Sequence, residues 1–307
     1  MPASFAGIRP VIHTPFSSRG SALQYGVSDR EVKALVRRML GAGVDGLVVL
    51  GLASEAWTLT DREREAILDA ISDAVSGAVP LVAGVDGPSH VAAERARTAA
   101  ARGCSALMVL PPPWARTTAQ LIEHFCLLAD AARVPILVQD SPQASGVTLS
   151  IEAIVELAAS HPLIGAVKSE APGSGPKITS LVAAGLEVVA GWGGLHYLEN
   201  IDRGASGCMP GCDLAPALLE IDRLARSGDR PGATRLYQAI LPLLSYEAQS
   251  LELLISGAKR LLRRQRVFSD DGLRPPARAL DEFEVASFDR FFEQLEENGV
   301  PGFERES

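Results

Sequence analysis

The sequence predicts a closed (β/α)8 barrel followed by a C-terminal helical extension. Eight short apolar runs alternate with helix-like stretches, and the runs start roughly 20 to 40 residues apart, which is the spacing of a strand–helix unit. All eight units fall within the first 228 of 307 residues. This leaves little room for the crossovers of two open sheets, so a single barrel is the economical arrangement.

Each apolar run is interpreted as a strand buried on both faces, because continuous apolar stretches between helices are typical of parallel sheets. The runs cover residues 8–12, 46–50, 80–84, 105–110, 135–139, 163–168, 187–190 and 205–209. Capping boxes that begin at Ser28 and Thr60 mark the starts of the first two helices. The alternation continues to the helix after the eighth run.

Beyond Asp229 the pattern changes, because no further strand-like run occurs. Three helical stretches are predicted there, at 231–244, 246–264 and 281–298, with a break at Pro275 and Pro276 before the last. We therefore expect a barrel domain over residues 1–228 and a C-terminal helical domain over residues 229–307.

Composition excludes several classes of protein. A net charge of −8 and a pI near 5.3 argue against a nucleic-acid partner. No apolar run approaches the roughly 18 residues of a membrane span. The N-terminal residues lack the pattern of a signal peptide, so we expect a cytoplasmic protein whose four cysteines are reduced.

The run at 163–168 ends in Lys168, and a polar loop follows it. An amine at the end of a buried strand is disfavoured in its charged form, so a nucleophilic neutral amine becomes available for Schiff-base formation. The alternative is a structural ion pair with Glu170 or Glu55. Lysine is rare here, at four of 29 basic residues, which favours a specific use of Lys168.

The carboxyl ends of the strands are where barrel enzymes place their active sites. The side chains that follow the strands are therefore the candidates for the site: His13, Thr14, Ala53, Ser54, Glu55, Asp86, Trp114, Gln139, Asp140, Lys168, Glu170, Trp192, His196 and Met209. Lys168 is the only primary amine among them, which strengthens the prediction of Schiff-base chemistry.

Several of these residues fall in recognisable motifs. Thr14-Pro15-Phe16, the Gly51 to Glu55 turn with Leu59-Thr60 and Glu63-Arg64 behind it, the Pro142 loop and Lys168 in a Val-Lys-x-Glu context resemble the dihydrodipicolinate synthase / N-acetylneuraminate lyase family of class I aldolases. The resemblance covers roughly residues 8–264. It implies a barrel with a C-terminal helical domain, usually a homotetramer, in which Lys168 attacks the carbonyl of pyruvate or another 2-oxo acid.

The resemblance also implies the partners: a small-molecule 2-oxo acid, an aldehyde if the reaction is an aldol reaction, and further copies of the chain in a tetramer or dimer. No cofactor, metal, nucleic acid or membrane is expected.

Departures from the family pattern are equally informative. Gln139 stands where the family has its catalytic tyrosine, Pro113 where a neighbouring subunit supplies a second tyrosine, and Ala144 where dihydrodipicolinate synthases have an arginine. In the second-strand turn, Leu52 and Ala53 replace two hydroxyl residues, and Ser54 replaces a glycine. A glutamine cannot transfer protons as a phenol can. These departures argue against the reaction of lysine biosynthesis.

Other residues must then replace the tyrosine. We predict Lys168, Asp140 and Gln139 as catalytic, with Asp140 acting as a general base if its carboxylate turns inward. His13 is a second candidate for proton transfer. The predicted substrate-binding residues are Ala53, Ser54, Glu55, Glu170, Met209, His13, Trp114 and Trp192.

All three tryptophans, Trp57, Trp114 and Trp192, follow strands. If two of them face the cavity, the pocket is wide and apolar. Together with the loss of an arginine at Ala144, this suggests a second substrate half that is bulkier or less charged than aspartate semialdehyde, such as an aromatic or modified-sugar aldehyde.

The sequence is compatible with three hypotheses of function. The first is a Schiff-base lyase, either an aldolase or a dehydratase of a 3-deoxy-2-oxo sugar acid. The second is a barrel that has lost catalysis and binds a metabolite or partner. The third is a metal-dependent lyase that uses His13, His196, Cys208 or Cys212, although the cysteine spacing is poor for zinc.

Overall fold

Eight parallel strands form the predicted barrel in the computed structural model, which describes residues 4–17 and 26–304. Numbered first to eighth, the strands are Gly7–Ile8, Leu47–Val49, Leu81–Val85, Ala106–Val109, Ile136–Asp140, Ile164–Ser169, Glu187–Ala190 and Gly207–Cys208. Each pairs with its neighbour in sequence from the second strand to the eighth, and the eighth pairs with the first.

The barrel closes between the first and second strands. Val11 bridges Val48 in parallel, the Ile12 N–H donates to the Val48 carbonyl at 2.8 Å, and the Val48 N–H donates to the Pro10 carbonyl at 2.9 Å. Pro10 has no N–H to donate, so the row of hydrogen bonds between the first and second strands is interrupted there. The predicted (β/α)8 fold is confirmed.

Helices alternate with the strands and continue after them. In chain order they are α1 (Asp29–Ala42), α2 (Asp61–Val75), α3 (Ser89–Ala101), α4 (Thr118–Ala132), α5 (Pro142–Ser145), α6 (Ile151–Ser160), α7 (Ser174–Ala183), α8 (Tyr197–Asp202), α9 (Ala215–Arg226), α10 (Arg230–Glu247), α11 (Leu251–Arg264) and α12 (Glu282–Glu297). Ser28 caps α1, and Thr60 forms a capping box with Glu63 at α2. The C-terminal helical extension is confirmed.

Three details differ from the prediction. The antiparallel pair Phe16–Ser17 with Gly26–Val27 and the helix Pro142–Ser145 were not expected. The helix expected from residue 246 begins at Leu251, because the Ser250 side chain accepts a hydrogen bond from the Leu253 N–H and caps it there.

The C-terminal helices share one apolar cluster with the barrel. Ile8 of the first strand, Leu218 of α9, Leu244 of α10 and Phe288 of α12 are all buried in it. The predicted domain limits at residues 228 and 229 stay a prediction, and residues 1–3, 18–25 and 305–307 lie outside the described residues. Within the described ranges, no helix is long and apolar enough to cross a membrane.

Candidate active site

Lys168 lies near the carboxyl end of the sixth strand, in register with Gln139 of the fifth strand and Val189 of the seventh. Ala166, two residues earlier, belongs to the apolar cluster inside the barrel. Side chains alternate along a strand, so Lys168 points to the same interior. Only 4% of the residue is exposed, which agrees with the predicted buried amine.

The amine of Lys168 is paired with Glu170. Its Nζ lies 3.1 Å from Glu170 Oε1, and both side chains are buried. Of the two carboxylates considered from the sequence, Glu170 is therefore the partner. An ion pair of this kind does not exclude chemistry, because a carboxylate beside an amine can also accept and return protons.

Two further donors hold the Glu170 carboxylate. The Gln139 side chain donates from Nε2 to Oε2 at 2.7 Å, and the Trp192 main-chain N–H donates to Oε1 at 3.1 Å. Gly191 allows the close approach, because a Cβ there would lie 2.3 Å from Glu170 Cγ. Gln139 is therefore a hydrogen-bond donor to Glu170, and its amide has no group that exchanges a proton at neutral pH.

Asp140 faces away from the barrel interior. It follows Gln139 in the fifth strand, and its Oδ2 lies 2.6 Å from Nζ of Lys177 on α7. Burial raises the pKa of Asp140, and the Lys177 ammonium opposes that rise. The inward orientation required of a general base is not observed, because strand alternation turns Asp140 toward the helices.

The second-strand turn is tied to its surroundings by the residues expected to bind substrate. The Ser54 hydroxyl donates to the Ile12 carbonyl at 2.6 Å, and the Thr14 hydroxyl donates to the Ser54 carbonyl at 2.7 Å. The Ser54 N–H donates to the Gly51 carbonyl. The Glu55 carboxylate is buried against Lys259 of α11. Ser54 and Glu55 therefore have structural partners, and Ala53 packs in the barrel core.

His13 is fully buried, and neither ring nitrogen has a hydrogen-bond partner among the described residues. Burial, aided by the Lys259 charge, lowers its pKa to about 3. The ring is thus neutral at physiological pH and is not placed for proton exchange with a solvent-filled site. Met209 also lies inside the barrel core.

A cavity of about 520 Å³ opens beside Glu170 at the carboxyl ends of the strands. Trp192 lines it, whereas Trp114 is 43% exposed and packs edge-on against His124. Trp57 is 52% exposed and lines a separate crevice. Trp192 is therefore the one tryptophan among the described residues that lines the cavity. The prediction of a wide, apolar pocket required two tryptophans there, so its condition is not met.

The cavity has walls that the sequence analysis did not assign to the site. They come from the fifth-strand loop, from α8 and from the segment between α10 and α11: Gln143, Asn200, Gln249 and Ser250. Only Gln143 carried a sequence signal, as it directly follows the Pro142 of the family-like loop. The others are brought in by the packing of distant elements.

A buried strand lysine beside a carboxylate, in a barrel of this kind, fits a lyase of the class I aldolase type. The model of the dihydrodipicolinate synthetase family matches residues 4–295, and the chain belongs to this family.

Relatives include a dehydratase and several synthases. The chain is 32% identical, over 88% of each chain, to the L-2-keto-3-deoxyarabonate dehydratase of Azospirillum brasilense. It is 30% identical, over 85% of this chain and 88% of the relative, to a 4-hydroxy-tetrahydrodipicolinate synthase of Rhizobium meliloti. These enzymes disfavour the reading of a non-catalytic barrel.

Solved structures support the same family. YagE of Escherichia coli K12, a prophage protein of the dihydrodipicolinic acid synthase family solved in complex with pyruvate, superimposes with a TM-score of 0.88. It is 25% identical and covers 96% of this chain and 99% of its own. Dihydrodipicolinate synthase from Rhodopseudomonas palustris gives a TM-score of 0.87, also at 25% identity, over 96% of this chain and all of its own.

Proposed function

We propose that the protein dehydrates a 3-deoxy-2-oxo acid, with Lys168 as the Schiff-base residue and Glu170 as the acid and base. The observation that carries this proposal is the contact of Glu170 with the Lys168 amine at 3.1 Å, held by Gln139 and by the Trp192 N–H. One carboxylate is thereby fixed next to the atom that binds substrate.

The reaction begins when the neutral Lys168 amine adds to the C2 carbonyl and its oxygen leaves as water, forming an iminium. The iminium withdraws electrons and acidifies C3. Glu170 removes a C3 proton, and the resulting enamine expels the C4 hydroxyl. Glu170 returns its proton to that hydroxyl, so a second water leaves.

The product at this stage is an iminium conjugated to a C3–C4 double bond. One water hydrolyses it, which restores the Lys168 amine and releases an unsaturated 2-oxo acid. The substrate has then lost one water in total. No step requires an oxidant, a reductant or a tyrosine.

Aldol cleavage is the second candidate, because it uses the same iminium and yields pyruvate and an aldehyde. It requires a base for the C4 hydroxyl proton, which would have to be Glu170, because Gln139, predicted to occupy the tyrosine position, cannot supply one. The dehydratase among the relatives also supports elimination. An aldehyde partner therefore belongs to the second candidate only.

The test combines trapping with product analysis. Sodium borohydride with pyruvate should add a stable mass to the native chain but not to Lys168→Ala, whereas the surface variant Lys33→Ala should be modified like the native chain. A 3-deoxy-2-oxopentonate should then yield an unsaturated 2-oxo acid. Pyruvate and an aldehyde as products would replace dehydration with aldol cleavage, and no adduct with either acid would refute the Schiff base.

Two expectations accompany this proposal. A homo-oligomer, either a tetramer or a dimer, and a cytoplasmic location stay predictions. Sedimentation of the purified protein would establish the oligomeric state, and fractionation of cells would establish the location.

A further inference from the structure

A buried amide lines the cavity beside Glu170, and its oxygen has no hydrogen-bond partner among the described residues. Asn200 lines the cavity beside Trp192, and only 3% of the residue is exposed. Its Oδ1 accepts no hydrogen bond from residues 4–17 or 26–304. Leaving a buried polar atom unpaired is costly, so an orphaned atom of this kind requires an explanation.

The main chain holds Asn200 in place. It lies on α8, where its N–H donates to the His196 carbonyl at 2.9 Å and its own carbonyl accepts from the Ala205 N–H at 2.9 Å. The amide is thus presented from a hydrogen-bonded helix, which favours a preorganised binding group over a mobile one.

Among the described residues that line the cavity with Asn200, Glu170 carries the one carboxylate. Ser169 is buried, lines the same cavity, and has a hydroxyl without a partner among the described residues. His196 lines it as well. None of the described lining residues is a lysine or arginine, and the one carboxylate, Glu170, is already paired with Lys168.

The uncharged donors and acceptors of Asn200 and Ser169 favour some chemical groups of a ligand over others. An anionic group would find no cation among the described walls, and an apolar group would leave the Asn200 and Ser169 atoms unpaired. A hydroxyl both donates and accepts, as do a carboxamide and a serine hydroxyl. The cavity therefore matches a hydroxylated, uncharged chain.

We propose that Asn200 is a specificity-determining residue, whose amide hydrogen-bonds a hydroxyl at the substrate end remote from the carbonyl. The inference rests on the proposed function and names its substrate class: 3-deoxy-2-oxo acids with a neutral, hydroxylated tail. Glu170 links the two ends, because it contacts Lys168 and also lines this cavity.

The test compares two substrates on the same variants. 4-Hydroxy-2-oxobutanoate has the leaving hydroxyl but no tail, whereas 3-deoxy-2-oxopentonate adds a terminal hydroxyl. For Asn200→Ala we expect kcat/KM to fall roughly 10- to 100-fold on the pentonate and to change little on the shorter acid, since one buried hydrogen bond is lost. Asn298→Ala, which changes the only other asparagine, should leave both values unchanged.

Equal losses on the two acids would assign Asn200 a merely structural role and overturn the inference. If Asn200→Ala does not fold, Asn200→Ser retains a small polar group and is judged by the same substrate ratio. Native enzyme that fails to prefer the pentonate, while pyruvate is still trapped at Lys168, would refute the inference and leave the Schiff base intact. No trapping of any oxo acid would refute both.

Discussion

Glu170 contacts an amine, an amide and a main-chain N–H at once, so its replacement should separate imine formation from elimination. In Glu170→Gln we expect pyruvate trapping at Lys168 to persist, because the amine remains. Turnover of a 3-deoxy-2-oxo acid should fall by roughly 10²- to 10⁴-fold, the usual contribution of a positioned acid and base. Rapid-quench kinetics would check both. A variant that dehydrates at the native rate would place the proton transfer on another residue.

Asp213 offers a test by pH. Burial raises its pKa to about 6 from an ordinary value of 3.8, so between these values the folded protein holds a proton that the unfolded chain releases. The free energy of unfolding therefore falls as pH rises through this window. The difference between the two values corresponds to about 3 kcal/mol at most.

For Asp213→Asn this loss should disappear, so the variant should gain stability relative to the native protein as pH rises from 3 to 7. Urea unfolding at each pH measures the difference. Parallel curves for the two proteins over that range would contradict the raised pKa. Burial and the Asp213 charge both raise the pKa of Glu247, so removing that charge lowers the Glu247 pKa and adds to the same gain in stability.

Side-chain contacts were predictable where they depend on neighbours in the sequence, and not where they depend on which face of a strand a side chain occupies. Lys168 ends an apolar run and Glu170 lies two residues later, so Glu170 was one of the two ion-pair partners considered for Lys168, the other being Glu55. Asp140 and His13 follow strands in the same way, but one turns toward α7 and the other is sealed in the core. A strand of uncertain register does not reveal which neighbour faces inward.

Among the elements, the first and eighth strands are short and approach each other closely. A Cβ on Gly207 would lie 2.1 Å from the Gly7 carbonyl oxygen, which belongs to the paired strand. We expect Gly207→Ala to destabilise the barrel by roughly 1–3 kcal/mol through overpacking. Gly165→Ala in the sixth strand is the matched control, because a Cβ there meets nothing within 4 Å.

Chemical denaturation of both variants would measure this effect. If Gly207→Ala matched the Gly165→Ala control in stability, the close pairing of the first and eighth strands would not exist in solution.

Long elements were predictable because each buries a repeating face. Apolar runs and capping residues indicated the strands and the helices that connect them. The pair Phe16–Ser17 with Gly26–Val27 and the helix Pro142–Ser145 are too short to show a period. The start of α11 was missed because a single cap, Ser250, decides it.

Over the whole molecule, a buried ion pair joins α11 to the second-strand turn of the barrel. Lys259 of α11 is fully buried against Glu55, and it also donates to the Gly272 carbonyl at 3.2 Å and lies over the Phe16 ring. The sequence does not reveal this ion pair, because Lys259 and Glu55 are far apart in the chain and no sequence pattern links them.

In Lys259→Met the Glu55 carboxylate would stay buried without its partner, which typically costs roughly 3–5 kcal/mol. We expect the double variant Glu55→Gln/Lys259→Met to lose less, because no buried charge remains. Lys33→Met, at a partly exposed pair, should stay within about 0.5 kcal/mol of the native protein. Equal losses in the single and double variants, by urea unfolding, would contradict a strong pairing.

The wall at Gln249 and Ser250, and the Lys259 that secures Glu55, have a consequence for biosynthesis. During translation all eight strands and Lys168 leave the ribosome before Gln249, Ser250 and Lys259. A nascent or prematurely terminated chain therefore carries Lys168 without the residues that complete the cavity beside Glu170. The cavity beside Glu170 is complete only once the start of α11 has been made and α11 has docked against Glu55.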